Sequence, residues 1–109
     1  MKKEIIQELY NGFEAAAVEV EDVECWSARE LQLLLGYSKW ENFSKVIDKA
    51  KIACGIAGYL VSDHFPDVRK MVHLGSGSER EIDDILLTRY ACYLIAQNGD
   101  PRKEQIAFA

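Results

Sequence analysis

Apolar and polar positions at the start of the chain predict a helix followed by a strand. Between Lys3 and Ala17 the acids lie off an apolar stripe at helical spacing, made by Ile5, Ile6, Leu9, Tyr10 and Phe13. From Val18 to Trp26 apolar and acidic residues alternate, which is typical of a short strand with one solvated face. An amphipathic acidic helix over residues 1–17 and a strand at 18–25 are therefore expected.

Two segments of the form S-x-x-E, residues 27–30 and 38–41, predict helix starts eleven residues apart. In this motif the serine oxygen and the glutamate carboxylate each accept a free amide at the helix start. Gly36 can adopt the left-handed conformation that ends the first helix. The sequence thus predicts a helix-turn-helix-like pair over residues 28–54.

The second helix of this pair, from Lys39 to about Cys54, is predicted to have a buried face and a basic flank. Its expected core residues fall within one arc at about 100° per residue, namely Trp40, Phe43, Val46, Ile47, Ala50 and Cys54. Asn42, Lys45 and Lys49 are neighbours on one flank at spacings of three and four. Gly55 or Gly58 is expected to end the helix.

The second half of the chain predicts a β-hairpin. Two segments with apolar alternation, residues 68–74 and 80–87, flank a Gly/Ser turn at residues 75–78. The strand at 18–25 is expected to join this hairpin in one sheet.

A central helix is predicted after the hairpin. Thr88 is placed to cap a helix over residues 88–98, which ends at Gly99. Residues 59–67 predict a loop or one helical turn, anchored by Phe65. Asp100-Pro101 is typical of the start of a further helix.

Length and composition favour a single α+β domain, mostly helical, over residues 1–109. The chain is 49% hydrophobic and 28% charged, which is ordinary for one soluble globular domain. No segment approaches the roughly 20 consecutive apolar residues of a membrane span, so no membrane contact and a cytoplasmic location are expected. Residues 106–109 are apolar and carry no stop signal. We therefore expect a chain truncated there, with an unfinished surface that favours a homodimer.

The formal charge of −5 is confined to the beginning of the chain. Residues 1–30 hold eight acids and three basic residues, and the remainder holds ten of each. A basic face is therefore compatible with the acidic total, because net charge governs association and solubility rather than local recognition.

Neither a metal site nor a catalytic site is predicted. The three cysteines, Cys25, Cys54 and Cys92, form no C-x-x-C pair and lie in apolar surroundings, where a thiol packs like a small hydrophobe. His64 and His73 have no cysteine near them in a zinc spacing. We expect no cofactor and no enzymatic activity, because no nucleophile, base and orienting group converge.

Separated segments of the chain carry a pattern in a fixed order, namely residues 26–31, 35–38, 40–43, 49–50, 53–54, 63–65, 89–101 and 106–107. This pattern resembles the DNA-damage-inducible protein D family over roughly residues 24–109. The resemblance implies a protein of the bacterial SOS response. It also implies a first domain similar to the Bro-N domain of phage antirepressors and baculovirus repeated proteins, which is regarded as DNA-binding. It supplies no catalytic or base-reading residue, and the helix before Val18 lies outside it.

Two functional hypotheses follow. The first is DNA binding through Asn42, Lys45 and Lys49, helped by three cations of the β-hairpin acting as a wing, Arg69, Lys70 and Arg80. The second is a protein-interaction module that binds a repair or regulatory protein through its acidic first 30 residues. The alternative for either surface is a solvated polar face that maintains solubility.

Overall fold

The computed structural model describes residues 3–75 and 77–100. In chain order the elements are α1 (Lys3–Ala16), β1 (Val18–Val20), β2 (Val23–Ser27), α2 (Ala28–Leu34), α3 (Trp40–Ile56), α4 (Val61–His64), β3 (Asp67–His73), β4 (Glu79–Leu87) and α5 (Arg89–Asn98). The predicted α+β class with dominant helices is confirmed. Among the described residues no helix has the length and apolar character needed to cross a membrane.

The strands form one antiparallel sheet in the order β1-β2-β4-β3. The predicted hairpin is confirmed, because β3 and β4 pair along their length from Asp67 opposite Ile85 to His73 opposite Glu79. The first predicted strand joins it through β2, whose Trp26 lies opposite Leu87 of β4.

The segment predicted as one strand at 18–25 is in fact a second hairpin. β1 and β2 pair across a two-residue turn at Glu21 and Asp22, which have φ angles of 51° and 66°. The prediction was wrong here because a two-residue turn can preserve the alternation of apolar and acidic residues. The turn also lacks the Asn-Gly or Asp-Gly pair that usually marks such a connection.

The glycine turn between α2 and α3 is confirmed. Gly36 has a φ of 79°, and its amide donates to the Leu33 carbonyl at 3.1 Å while the Tyr37 amide donates to the Gln32 carbonyl at 3.0 Å. These two bonds form the Schellman motif that ends helices at a left-handed residue. Gly58, with a φ of 91°, ends α3 in the same way.

Neither predicted capping box forms. Ser27 is the N-cap of α2, but its hydroxyl donates to the carboxylate of Asp84 on β4 at 2.5 Å instead of accepting an amide of its own helix. The Asp84 carboxylate takes over the capping role by accepting the amide of Arg29 at 3.1 Å. At α3 the N-cap is Lys39, and Ser38 lies outside the helix. The charged carboxylate of Asp84 is a stronger acceptor for the amides of a helix start than the Ser27 hydroxyl. The sequence around Ser27 does not show that Asp84 lies beside it in the fold.

Trp26 lies at the centre of the core and holds α1 in place. Its side chain is completely buried, and its ring stacks on Phe13 of α1 with centroids 4.3 Å apart. Its indole nitrogen donates to the Phe13 carbonyl at 2.7 Å. The apolar stripe of α1 is less buried than predicted, since Ile6 and Tyr10 are exposed.

Helix α5 packs antiparallel to α3. Its N-cap is Thr88, whose hydroxyl accepts the Ala91 amide at 3.2 Å, as predicted. Near its start the Tyr90 ring lies 5.0 Å from Tyr59, just beyond the end of α3. After its end the Asp100 amide donates to the hydroxyl of Tyr37, which precedes α3. The further helix predicted to start at Asp100-Pro101 lies outside the described residues. The apolar residues 106–109 lie outside them as well.

Candidate nucleic-acid interface

Helix α3 buries one face and presents Asn42, Lys45 and Lys49 to solvent on another. The predicted core face is confirmed, with Trp40 only partly buried and the rest inside, namely Phe43, Val46, Ile47, Ala50 and Cys54. All three polar residues are exposed, and we call them the α3 ridge. Within residues 3–75 and 77–100, neither lysine of the ridge forms an ion pair. Both ammonium groups therefore remain available to an anion.

Two of the three cations predicted on the hairpin are held by acids. Arg69 lies 3.3 Å from a carboxylate oxygen of Glu81 and 3.9 Å from one of Asp83. Lys70 lies 3.6 Å from Glu30 of α2. These exposed pairs contribute little stability, but they reduce the positive potential that Arg69 and Lys70 offer to a phosphate.

The hairpin cations also lie on two different faces. Successive residues of a strand point to opposite sides and directly opposed residues share a side. The pairing of Lys70 with Ile82 and of Val72 with Arg80 therefore places Lys70 and Arg80 on one face and Arg69 on the other. The structure groups Asn42, Lys45 and Lys49 on the α3 ridge, and it does not gather the hairpin cations into one wing.

An acidic groove separates α3 from the base of the hairpin. Its lining includes one cation, Arg69, and four acids, Asp48, Asp67, Asp83 and Asp84. Such a groove disfavours a polyanion. Because Asp48 and the three ridge residues lie on different flanks of α3, the acidic groove and the α3 ridge are separate surfaces.

Arg29 positions the start of α3 and was not identified from the sequence. Its guanidinium lies 3.9 Å from the centroid of the Trp40 ring, and it donates two hydrogen bonds to the Asp83 carbonyl, at 3.0 and 2.9 Å. It thereby links α2, α3 and β4. No local pattern indicates this link, because the bonded residues are 54 positions apart.

The three cysteine thiols are buried, and His64 is hydrogen-bonded within the fold. Burial raises the pKa of the Cys92 thiol to about 12 and also raises the pKa values of Cys25 and Cys54, which disfavours the nucleophilic thiolate. His64 forms a hydrogen bond within the fold, with its Nδ1 2.7 Å from the Thr88 hydroxyl. In the part of the chain that the structure describes, no group of three metal-binding side chains is assembled.

Comparison with known proteins agrees with the resemblance inferred from the sequence. The model of the BRO family, N-terminal domain, matches residues 15–109. The chain is 47% identical over 94 residues to DNA damage-inducible protein D of Escherichia coli (strain K12), with 86% of this chain and 34% of that protein covered. The chain thus spans about a third of the length of this curated relative, and no solved structure matches. Because the family match extends over most of its residues, the chain belongs to the BRO family as an N-terminal domain.

Proposed function

We propose that the chain is a nucleic-acid-binding, non-enzymatic domain that acts in a DNA-damage response, with the α3 ridge as its contact. The observation that carries this proposal is the pair of exposed lysines, Lys45 and Lys49, on a helix whose opposite face is locked into the core. The name of the Escherichia coli relative supports the DNA-damage setting.

The α3 ridge would bind a nucleic acid mainly through contacts with its phosphates. Lys45 and Lys49 are one helical turn apart, so their side chains are neighbours and would displace counterions from consecutive phosphates. Asn42 lies on the first turn of α3, where a side chain can approach a base edge, and an asparagine amide can pair with adenine. Arg80 would add a phosphate contact from the hairpin, whereas Arg69 and Lys70 would add less because of their acidic neighbours.

Reversing the charge of Lys45 and Lys49 should distinguish a helix face that contacts phosphates from a polar face that is only solvated. We expect Lys45→Glu/Lys49→Glu to weaken binding to labelled DNA by roughly 10- to 100-fold, and to lower the slope of log K against log salt by about 2. Fluorescence anisotropy at several salt concentrations, with single- and double-stranded DNA, measures both quantities.

The matched control carries the same change of charge away from the ridge. Lys3→Glu/Lys51→Glu changes one lysine of α1 and one on another flank of α3, and it should retain most of the affinity. Equal binding by the wild-type protein and the ridge variant would exclude the α3 ridge as the contact.

A protein-interaction module is the second candidate, favoured by five exposed acids near the start of the chain. These acids are Glu4, Glu8, Glu19, Glu21 and Asp22. Among the described residues none of them forms an ion pair. By contrast, Glu14 and Glu24 are both bound by Arg89 of α5. A basic patch on a repair or regulatory protein would complement the five free carboxylates.

Neutralising these five acids tests the second candidate without removing α1, which the core needs for the contact between Phe13 and Trp26. The variant changes each glutamate to glutamine and Asp22 to asparagine. We expect binding to DNA to persist or increase, because repulsion of phosphates falls. If the acids form the contact, capture of a protein partner from lysates of DNA-damaged cells is lost in this variant. Unchanged capture of a protein partner by this variant would exclude the acidic segment as the contact.

A further inference from the structure

Strand β3 forms one edge of the sheet. In the strand order β1-β2-β4-β3, β4 is the only strand that pairs with it among the described residues. The opposite edge strand, β1, has three residues, whereas β3 has seven. An edge of this length is a template for another extended chain, because its outer backbone groups can pair with those of a further strand.

The hydrogen bonds at the two ends of the long hairpin identify the backbone groups that point outward. At one end the Leu86 amide donates to the Pro66 carbonyl at 2.9 Å. At the other end the Leu74 amide donates to the Ser78 carbonyl at 2.8 Å. In an antiparallel pair every second residue bonds to the partner strand, so the even-numbered residues from 66 to 74 bond to β4.

The odd-numbered residues of β3 therefore direct their N–H and C=O groups to the free edge, namely Asp67, Arg69, Met71 and His73. Within residues 3–75 and 77–100 none of these groups bonds to another backbone group. The side chains of these residues are exposed as well. The whole length of β3 thus offers main-chain donors and acceptors to a partner.

The two sides of this hairpin differ in charge. Directly opposed residues share a side, so the side of Arg69 also carries four acids, Asp67, Glu79, Glu81 and Asp83. Arg69 contacts two of them and leaves this side acidic. On the other side the one acid, Asp84, is buried and bonded to α2. That side carries two cations, Lys70 and Arg80, and three half-buried apolar residues, Val68, Val72 and Ile82.

The acidic groove adjoins the first part of the free edge. Its lining includes the first three residues of β3 and, from α3, Ser44, Ile47 and Asp48. Its volume of about 530 Å³ is within the roughly 300 to 1,000 Å³ usual for ligand sites. Asp48 is exposed and forms no ion pair in the described part of the chain. A chain laid along β3 would meet this carboxylate at the groove.

We propose that β3 takes up an extended segment of another protein as a fifth, antiparallel strand, with basic residues on the acidic side and apolar residues on the other. Main-chain hydrogen bonds supply the affinity of such an added strand, and its alternating side chains supply the selectivity. Lys or Arg at every second position lies near Asp67 and Asp83, whereas a nucleic acid is repelled there. The α3 ridge takes no part, so this inference stands independently of the proposed DNA contact.

Labelled peptides that alternate lysine and valine test the backbone pairing. A peptide of about nine residues spans β3 at about 3.4 Å per residue, and fluorescence anisotropy measures its binding to the 109-residue chain. In the proposed pairing each lysine lies opposite an odd-numbered residue of β3. The lysine N–H groups then bond to the edge, and the valine N–H groups point away from it.

N-methylation of the lysine amides should therefore weaken binding by at least about 10-fold, and N-methylation of the valine amides by less than about 3-fold. Both modified peptides carry the same charge. Equal weakening by the two modifications would overturn the proposal, because charge alone would then explain the binding. Failure of the unmodified peptide to bind below about 1 mM would overturn it as well.

A proline in β3 tests the position of the site. Met71→Pro removes an outward N–H from the middle of the edge and leaves the bonds to β4 in place, as edge strands allow. It should weaken binding of the unmodified peptide by at least about 10-fold. Met71→Thr keeps this N–H and should bind normally. A wild-type dimer in analytical ultracentrifugation that Met71→Pro dissociates would overturn the proposal, since a second copy would then occupy the edge.

A charge variant tests the acidic side without altering the backbone. Asp67→Asn/Asp83→Asn should weaken peptide binding by about 3- to 10-fold. The matched control, Glu4→Gln/Glu8→Gln, removes the same charge from exposed positions on α1 and should retain the affinity. Circular dichroism verifies that all variants fold. Equal affinities of the β-hairpin and α1 variants would contradict recognition by the acidic side.

Discussion

Replacing Trp26 with alanine is expected to lower the free energy of unfolding by about 3 to 5 kcal/mol, the usual cost of removing a large aromatic side chain from a core. The indole is completely buried and stacks on Phe13. Its loss also leaves the Phe13 carbonyl without the indole donor. Because this stack is one of the contacts that hold α1 to the rest of the fold, its helical signal should weaken as well.

Urea denaturation followed by circular dichroism measures the effect. Tyr10→Ala serves as the control, since Tyr10 is also aromatic but is exposed on α1, and it should change stability by no more than about 0.5 kcal/mol. Trp26→Phe should fall between the two because it keeps an aromatic ring and loses the hydrogen bond. A loss below about 1 kcal/mol for Trp26→Ala would contradict the central role of Trp26 in the core.

Asp84→Ala is expected to cost about 2 to 4 kcal/mol, since hydrogen bonds to charged groups and unsatisfied buried donors are both expensive. The buried carboxylate accepts the Ser27 hydroxyl and two amides, those of Arg29 and Ile85. Its removal uncaps α2 and loosens the attachment of that helix to β4. Asp84→Asn should cost less, because one amide oxygen remains to accept a hydrogen bond.

The neighbouring residue provides the control. The Asp83 side chain is 90% exposed, so Asp83→Ala should alter the unfolding free energy by less than about 0.5 kcal/mol. Similar midpoints for the two alanine variants in urea would show that Asp84 does not cap α2.

The parts of the fold that were predictable have strong local signals. Gly36 ends α2 as expected, and the hairpin turns at the Gly/Ser segment. Thr88 caps α5 through its own side chain. Helical phase also predicted that Lys45 and Lys49 would be exposed, because the same 3.6-residue period that buries Phe43 and Ile47 turns these lysines outward.

The remaining features depend on partners distant in sequence. Asp84 displaces Ser27 as the cap of α2 from 57 positions away, and Glu30 contacts Lys70 instead of completing a capping box. No window of neighbouring residues contains such pairs. For the same reason the acids that neutralise Arg69 were not anticipated, since strand pairing brings Glu81 and Asp83 beside it.

The two tryptophans give the protein two separate optical signals. Trp26 is sealed in the interior against Phe13, so its emission should report whether the chain is folded. Trp40 is only partly buried at the first turn of α3, with the Arg29 guanidinium over its ring. A single-tryptophan variant that keeps Trp40 and carries Trp26→Phe would therefore respond to a ligand that reaches the groove side of the start of this helix, without a dye attached to the protein or to the ligand.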